Sequence, residues 1–261
     1  MNYLITYCDY PANHFKRLSY EQNTKPRFLK YAQLHNFKFV EINENYALPY
    51  NLGFAKVFWI KQNWHNFNQG DIIAYMDIDC CVIDATMPPV FEKDFSIVME
   101  STGVLCMGGL WALRVSPWSK LFIDEMCSTK RQIENRDLQS WKTWAENDAV
   151  YHVLGLNWGE KYLQMGTRDT TPFSQSELFE KVEFLDSKWG NTYNPEDVDW
   201  SKNNFKLNDT KDKDWIYKII KQYAIPERSH AIENTIVRHL SAETMFLPWA
   251  NKYFNTPLKI K

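Results

Sequence analysis

The chain has 261 residues, enough for one large domain or two small ones and for a sizeable core. A net charge of −2 and a pI near 6.3 give no basis for electrostatic capture of nucleic acid or of an anionic membrane. Hydrophobic residues at 44% and charged residues at 24% are ordinary for a globular protein, but 16% aromatic residues, with 11 Trp, supply flat rings for stacking on sugars or bases as well as for a core.

Residues 3–8 read as a buried strand closing in "CDY". A strand this early leaves no room for a signal peptide, and no stretch approaches the ~20 apolar residues of a transmembrane helix. Residues 14–35 read as helical, with Phe15, Leu18, Phe28, Tyr31 and Leu34 as apolar positions and Pro26 interrupting the segment or starting a second helix. "FKFVEIN" (37–43) is a second strand. "LGFAKVFWIKQNWHNF" (52–67) has helical spacing, and Gly70 and Asp71 form the turn out of it. "IIAYMDID" is the third strand, with "CVID" continuing beyond it.

"FSIVMES" (95–101) and "LCMGGLWALRV" (105–115) are further strands. "SPWSKLFIDEMCSTKRQI" (116–133) is a helix capped by Ser116 with Pro117 at its first position. "WAENDAVYHVLGL" (144–156) is another helix. Residues 157–229 hold short strands ("KYLQMG", "KVEFLD") and a polar loop around 186–214, and "TIVRHL" (235–240) is a late strand. Strands alternating with helices predict an α/β fold with a mainly parallel central sheet flanked by helices. No repeat or linker divides the chain, so a single domain over 1–261 is expected. The five cysteines (Cys8, Cys80, Cys81, Cys106, Cys127) are odd in number and match no zinc spacing. They read as reduced thiols in a reducing compartment, which with the lack of a leader predicts a cytoplasmic protein.

Within "GDIIAYMDIDCCVID" (70–84) a greasy run carries two carboxylates, Asp77 and Asp79. On a strand, residues two apart share a face, and in an open α/β sheet ligands bind beyond the carboxyl ends of strands. Two adjacent carboxylates repel unless they share a proton or a cation. Mg²⁺ or Mn²⁺ is the natural partner and usually carries phosphates as its other ligands. The direct reading is a metal–diphosphate site. Its rival is a strand that ends early, leaving both aspartates in a solvated turn.

"AKVFWIKQNWHNFNQGDIIAYMDIDCCVID" resembles the core of GT-A glycosyltransferases, in which a Lys-bearing helix, a short turn and an apolar strand lead to Asp-x-Asp. The likeness is to the galactosyl/mannosyl/xylosyltransferase group and, more distantly, to glycogenin-like transferases. "MGGLWALRVSPWSKLFIDEM" (107–126), "WAENDAVYHVLG" (144–155) and "IVRHLSAE" (236–243) resemble later segments of that family, in the same order.

The resemblance implies a Rossmann-like GT-A fold whose residues 1–105 bind the nucleotide sugar and whose residues 106–261 face the acceptor. It implies Asp79 and His239 as metal ligands and Asp77 on the metal or the donor ribose. Lys56 would lie near the donor sugar or diphosphate. Tyr7, Cys8 and Asp9 would border the nucleotide, and Gly108 and Gly109 would admit substrate close to the backbone. Asp148, with Glu146 beside it, would face the reacting sugars. The implied partners are a nucleotide-diphosphate sugar, with UDP taken over GDP on frequency in such enzymes alone, and a glycan, glycoprotein or glycolipid acceptor. A bacterial or virus-encoded enzyme fits better than a Golgi one.

Each assignment has a blander rival. His239 reads equally as a satisfied strand-end histidine, Lys56 as a solvated helix residue, Asp148 and Glu146 as helix carboxylates, and the Gly pair as a bulge. Arg114 is expected to bond within the fold, and Trp111 is the best candidate for a sugar platform. Two other functions share the pattern. Haloacid-dehalogenase-like phosphatases also use Asp-x-Asp after an apolar strand, and a Trp-rich carbohydrate-binding protein could keep a transferase fold without catalysis.

Overall fold

A computed structural model describes residues 1–44, 52–99, 107, 109–128, 146–155, 177–190, 234–240 and 251–261, with the backbone alone at 148, 151 and 152. In chain order the elements are β1 (Asn2–Tyr7), α1 (Phe15–Ser19), a π-helical turn (Tyr20–Thr24), α2 (Lys25–Leu34), β2 (Phe37–Ile42), α3 (Ala55–Gln62) and β3 (Ile72–Tyr75). They continue with β4 (Cys80–Val82), β5 (Phe95–Val98), β6 (Trp111–Arg114), α4 (Pro117–Met126), α5 (Glu146–Leu154), β7 (Val182–Leu185), β8 (Val237–His239) and α6 (Asn251–Asn255).

Six strands make one sheet in the order β2-β1-β3-β6-β5-β7. β1 pairs in parallel with β2 and with β3, and β5 with β7, while β6 runs antiparallel between β3 and β5. The mainly parallel sheet expected from the sequence is therefore present, with one strand reversed. β4 and β8 form a separate antiparallel ribbon.

Strand side chains alternate, so each strand feeds two cores. Tyr3, Ile5, Ile73, Tyr75, Trp111 and Leu113 face a layer that includes Val57 and Ile60 of α3, Phe122 and Met126 of α4, and Val150 of α5. Leu4, Ala74 and Ala112 face the opposite layer, with Tyr20, Phe28, Tyr31, Val82, Val237 and Tyr253. This is a helix–sheet–helix sandwich in which the β4–β8 ribbon covers part of one face.

Pro26 sits in the first turn of α2 and starts it, as the sequence indicates. The π-helical turn ahead of it adds a wider turn and resets the helical register. The apolar stripe is narrower than expected: Phe28 and Tyr31 are buried, whereas Phe15 and Leu18, ahead of that turn, and Leu34, at the end of α2, are exposed. Ser116 caps α4 in a capping box with Ser119, and the helix stops at Met126, short of residue 133. Gly70 turns the chain with φ of +89°, which a side chain disfavours.

Trp111 is a core residue and not a sugar platform. It is 1% exposed, stacks on Tyr75 with centroids 5.1 Å apart, and donates Nε1–H to the Met107 carbonyl at 2.8 Å. Arg114 bonds within the fold, donating to the Phe91 carbonyl at 2.6 Å. Cys8, Cys80, Cys81 and Cys127 are buried free thiols, while Cys106 and the expected strand "KYLQMG" lie outside the described residues.

Arg27 ties the ribbon side together. It is buried and donates to the carbonyls of Val82 at 2.8 Å, Phe254 at 2.8 Å and Thr256 at 2.6 Å. Arg27→Leu strips three carbonyls of their donor, each worth about 1–3 kcal/mol if left unpaired. A loss of about 3 kcal/mol or more is expected in urea unfolding, with Arg27→Lys intermediate.

Candidate metal and active centre

β3 ends earlier than the sequence reading expects. Its pairing with β1 stops at Ile5 opposite Tyr75, and the next residue bonds back once, Met76 N–H to the Ile5 carbonyl at 3.1 Å. The chain then leaves the main sheet to join the ribbon, and it does so through a β-turn closed by Cys80 N–H to the Asp77 carbonyl at 2.9 Å. Asp77 and Asp79 are thus the first and third residues of a turn, not neighbours on one strand face. The turn is only partly solvated: Asp79 is 5% exposed and the Asp77 side chain 30%.

The ribbon delivers the histidine. β4 and β8 pair with Cys80 opposite His239, and Leu240 N–H donates to the Asp79 carbonyl at 2.9 Å. His239 Nε2 consequently lies 3.4 Å from Asp79 Oδ1. Asp77, Asp79 and His239 each offer a ligand atom, all within 4.8 Å of one another.

A lysine and a third carboxylate border this group. Lys56, in the first turn of α3, is 3% exposed. Its ammonium lies 2.8 Å from Glu146 Oε1 and 3.5 Å from Asp77 Oδ1, over the Tyr75 ring at 4.7 Å. The Tyr75 hydroxyl also donates to Asp77 Oδ1. Burial pushes the Asp77 carboxyl above the usual range and repulsion from Asp79 adds to it, against the pull of Lys56, His239 and the Tyr75 hydrogen bond. Burial likewise raises the Tyr75 hydroxyl far above its ordinary value, so it stays protonated and donates.

Two features of this border escape a reading of the sequence. A Cβ on Gly53 would stand 1.9 Å from Glu146 Oε2, so the missing side chain is what lets the carboxylate settle beside Lys56. Asn147 Oδ1 accepts the Met107 backbone N–H at 2.7 Å, tying the start of α5 to the segment before β6. An isolated Gly at a helix start and an Asn between two acids were the available signals.

The remaining candidates are less central. Tyr7, Cys8 and Asp9 leave β1 at the same sheet end. Burial, then the Asp9 carboxylate, raises the Tyr7 hydroxyl, and burial raises the Cys8 thiol. Cys8 is held by N–H donation to Ile42 and by Arg17 on its carbonyl. Gly109 is packed by Gly190, whose Cβ would come within 3.3 Å of the Gly109 Cα. Gly108 and the side chain of Asp148 lie outside the described residues.

The donor set fits a divalent cation. Asp79 Oδ1 is buried and has no hydrogen-bond partner, which is costly for a carboxylate oxygen unless a cation answers it. One octahedral ion at about 2.1 Å spans ligands up to about 4.2 Å apart, close to the spread of these atoms. Two carboxylates, Asp77 and Glu146, share the Lys56 ammonium, and Asp79 lies beside Asp77 with His239, so a divalent ion would offset the remaining negative charge.

No protein-family model and no curated protein matches the chain. Solved structures do. A glycosyltransferase involved in glycosylation of the major capsid of PBCV-1 is 11% identical over 94% of this chain and 96% of its own, with a TM-score of 0.49. The galactosyltransferase LgtC, crystallised with donor and acceptor sugar analogues, is 10% identical over 100% and 98%, with a TM-score of 0.45. The glycosyltransferase GlyE of Streptococcus pneumoniae TIGR4 is 11% identical over 98% of this chain and 63% of its own, with a TM-score of 0.43. All three are glycosyltransferases, the class that the motif resemblance names.

Lys56→Met leaves the buried Glu146 without its cation and takes the same cation from the part-exposed Asp77. Removing one partner of a buried pair typically costs about 3–5 kcal/mol. The expected result is a loss of that order in chemical unfolding, with Lys56→Met/Glu146→Gln recovering at least half of it. An additive double mutant would show that the two residues do not interact.

Proposed function

We propose that the protein is a metal-dependent glycosyltransferase that moves a sugar from a nucleoside-diphosphate sugar to a hydroxyl of a glycan, glycoprotein or glycolipid. The observation that carries this reading is the Asp77–Asp79–His239 group, in which Asp79 and His239 are buried and Asp79 Oδ1 has no hydrogen-bond partner. Two carboxylates and an imidazole suit Mn²⁺ better than Mg²⁺, which prefers an all-oxygen shell. Asp79 and His239 would hold the ion directly, with Asp77 beside them. A divalent ion held there would supply positive charge to offset that of a leaving diphosphate.

The chain's own residues do the rest. Lys56, between Asp77 and Glu146, fixes two carboxylates in orientation and adds positive charge beside the diphosphate position. Tyr75 holds Asp77 by its hydroxyl. Tyr7, Cys8 and Asp9 border the nucleotide, and Gly108 and Gly109 let substrate approach the backbone. Glu146, and Asp148 two residues along α5, face the reacting sugars, where a carboxylate either accepts the acceptor proton or orients the donor. Residues 1–105 supply the donor side and 106–261 the acceptor side, with Glu146 and His239 reaching back across. Among the described residues no helix is long and apolar enough to cross a membrane.

The test is release of nucleoside diphosphate from UDP-glucose, UDP-galactose and GDP-mannose, each with Mn²⁺ and with EDTA. Alongside it, thermal shifts with UDP and GDP should reach about 2.7 kcal/mol of stabilisation at 100 times Kd. The expected result is Mn²⁺-dependent release and a shift with one nucleotide, both lost in Asp79→Asn. Absence of any nucleotide response, with hydrolysis of p-nitrophenyl phosphate instead, would replace the transferase by a phosphatase.

A further inference from the structure

In a β-turn the peptide between the second and third residues decides the turn's type, and its rotation redirects the third residue. In the Asp77–Cys80 turn that peptide joins Ile78 to Asp79. Its carbonyl, Ile78 O, accepts a hydrogen bond of 2.6 Å from the Thr24 hydroxyl, and Thr24 is fully buried. A helical threonine ordinarily bonds the carbonyl four residues back. Here that carbonyl, of Tyr20, lies 3.4 Å away, and the shorter bond goes to Ile78.

We propose that Thr24 is a positioning residue for the metal-binding aspartates, acting through the central peptide of their turn. The inference rests on the metal reading above. Flipping the peptide would break the Thr24 bond and drive Asp79 towards positive φ, which among the described non-glycine residues only Asn36 adopts. On its other side Asp79 is fixed by Leu240 N–H on its carbonyl at 2.9 Å. The two bonds bracket the residue whose Oδ1 is buried without a hydrogen-bond partner.

Thr24 is itself held on target. It ends the π-helical turn Tyr20–Thr24, and the Tyr20 hydroxyl donates to Glu41 Oε2 at 2.9 Å. Arg17 and Lys25 clamp the same glutamate at 2.6 and 2.9 Å. One turn further on, Arg27 grips Val82 at the far end of β4. The helical unit therefore grips the segment carrying the aspartates at Ile78 and at Val82.

The test is Mn²⁺ affinity, titrated by the electron paramagnetic resonance signal of free Mn²⁺, with far-UV circular dichroism and Tm recorded for each chain. Thr24→Ser keeps the hydroxyl and Thr24→Ala loses it, while both lose the methyl group. The expected result is Thr24→Ser within about twofold of wild type and Thr24→Ala weaker by about tenfold or more, the usual effect of losing a group that orients a ligand. Thr24→Val is expected to follow Thr24→Ala. Equal affinity in wild type and Thr24→Ala would overturn the positioning role and leave the metal site standing, as would Thr24→Ser as weak as Thr24→Ala. A wild-type chain that does not retain Mn²⁺ would overturn the metal reading itself and this role with it.

Discussion

Repulsion between carboxylates at one buried turn is the constraint on which the rest of the structure depends. Asp77 and Asp79 offer oxygens within 4.8 Å of each other, where two unit charges repel by about 3–4 kcal/mol at an effective dielectric of 20. Glu146 adds a third negative group, sharing Lys56 with Asp77. Such a cluster persists only if packing and hydrogen bonds hold it, and only if a positive partner answers it. Lys56 answers part of the charge, and the Asp79 oxygen that lacks a hydrogen bond, with His239 Nε2 3.4 Å away, marks the part it does not reach.

The fold supplies the holding. The main sheet carries the chain to Tyr75, where the hydroxyl reaches forward to Asp77 while the ring stacks on Trp111. The β4–β8 ribbon then sets His239 against Asp79 by strand register. Helix α3 brings the lysine from one layer and the π-helical turn brings Thr24 from the other. The two helical layers therefore meet the same turn from opposite faces of the sheet, and each places a buried polar side chain on it. In a solvated loop the same carboxylates would lose most of their mutual influence to water and salt.

Much of this was legible in the sequence because it is written in short-range pattern. The apolar lead "IIAYM" marks β3, Ser116–Pro117 marks the start of α4, and the Asp pair stands out against its greasy surroundings. The strand is nevertheless shorter than its pattern suggests, because apolar residues continue past the aspartates into the ribbon. Periodicity cannot separate one long strand from two short ones joined by a turn. His239 was legible only through the order of segments along the chain, since strand register, not spacing, brings it to Asp79. Lys56 is amphipathic by type and gave no sign of its near-complete burial. Thr24, Gly53 and Asn147 were not legible, because their partners lie 54, 93 and 40 residues away.

The central claim is that a divalent ion belongs between Asp77, Asp79 and His239. Diffraction from Mn²⁺-soaked crystals, recorded above the manganese absorption edge, tests it most directly. One strong anomalous peak is expected, bonded to carboxylate oxygens of the aspartates and to an imidazole nitrogen of His239, and no peak in Asp79→Asn crystals. A wild-type map with no peak at that turn, or with manganese bound only elsewhere, would contradict it.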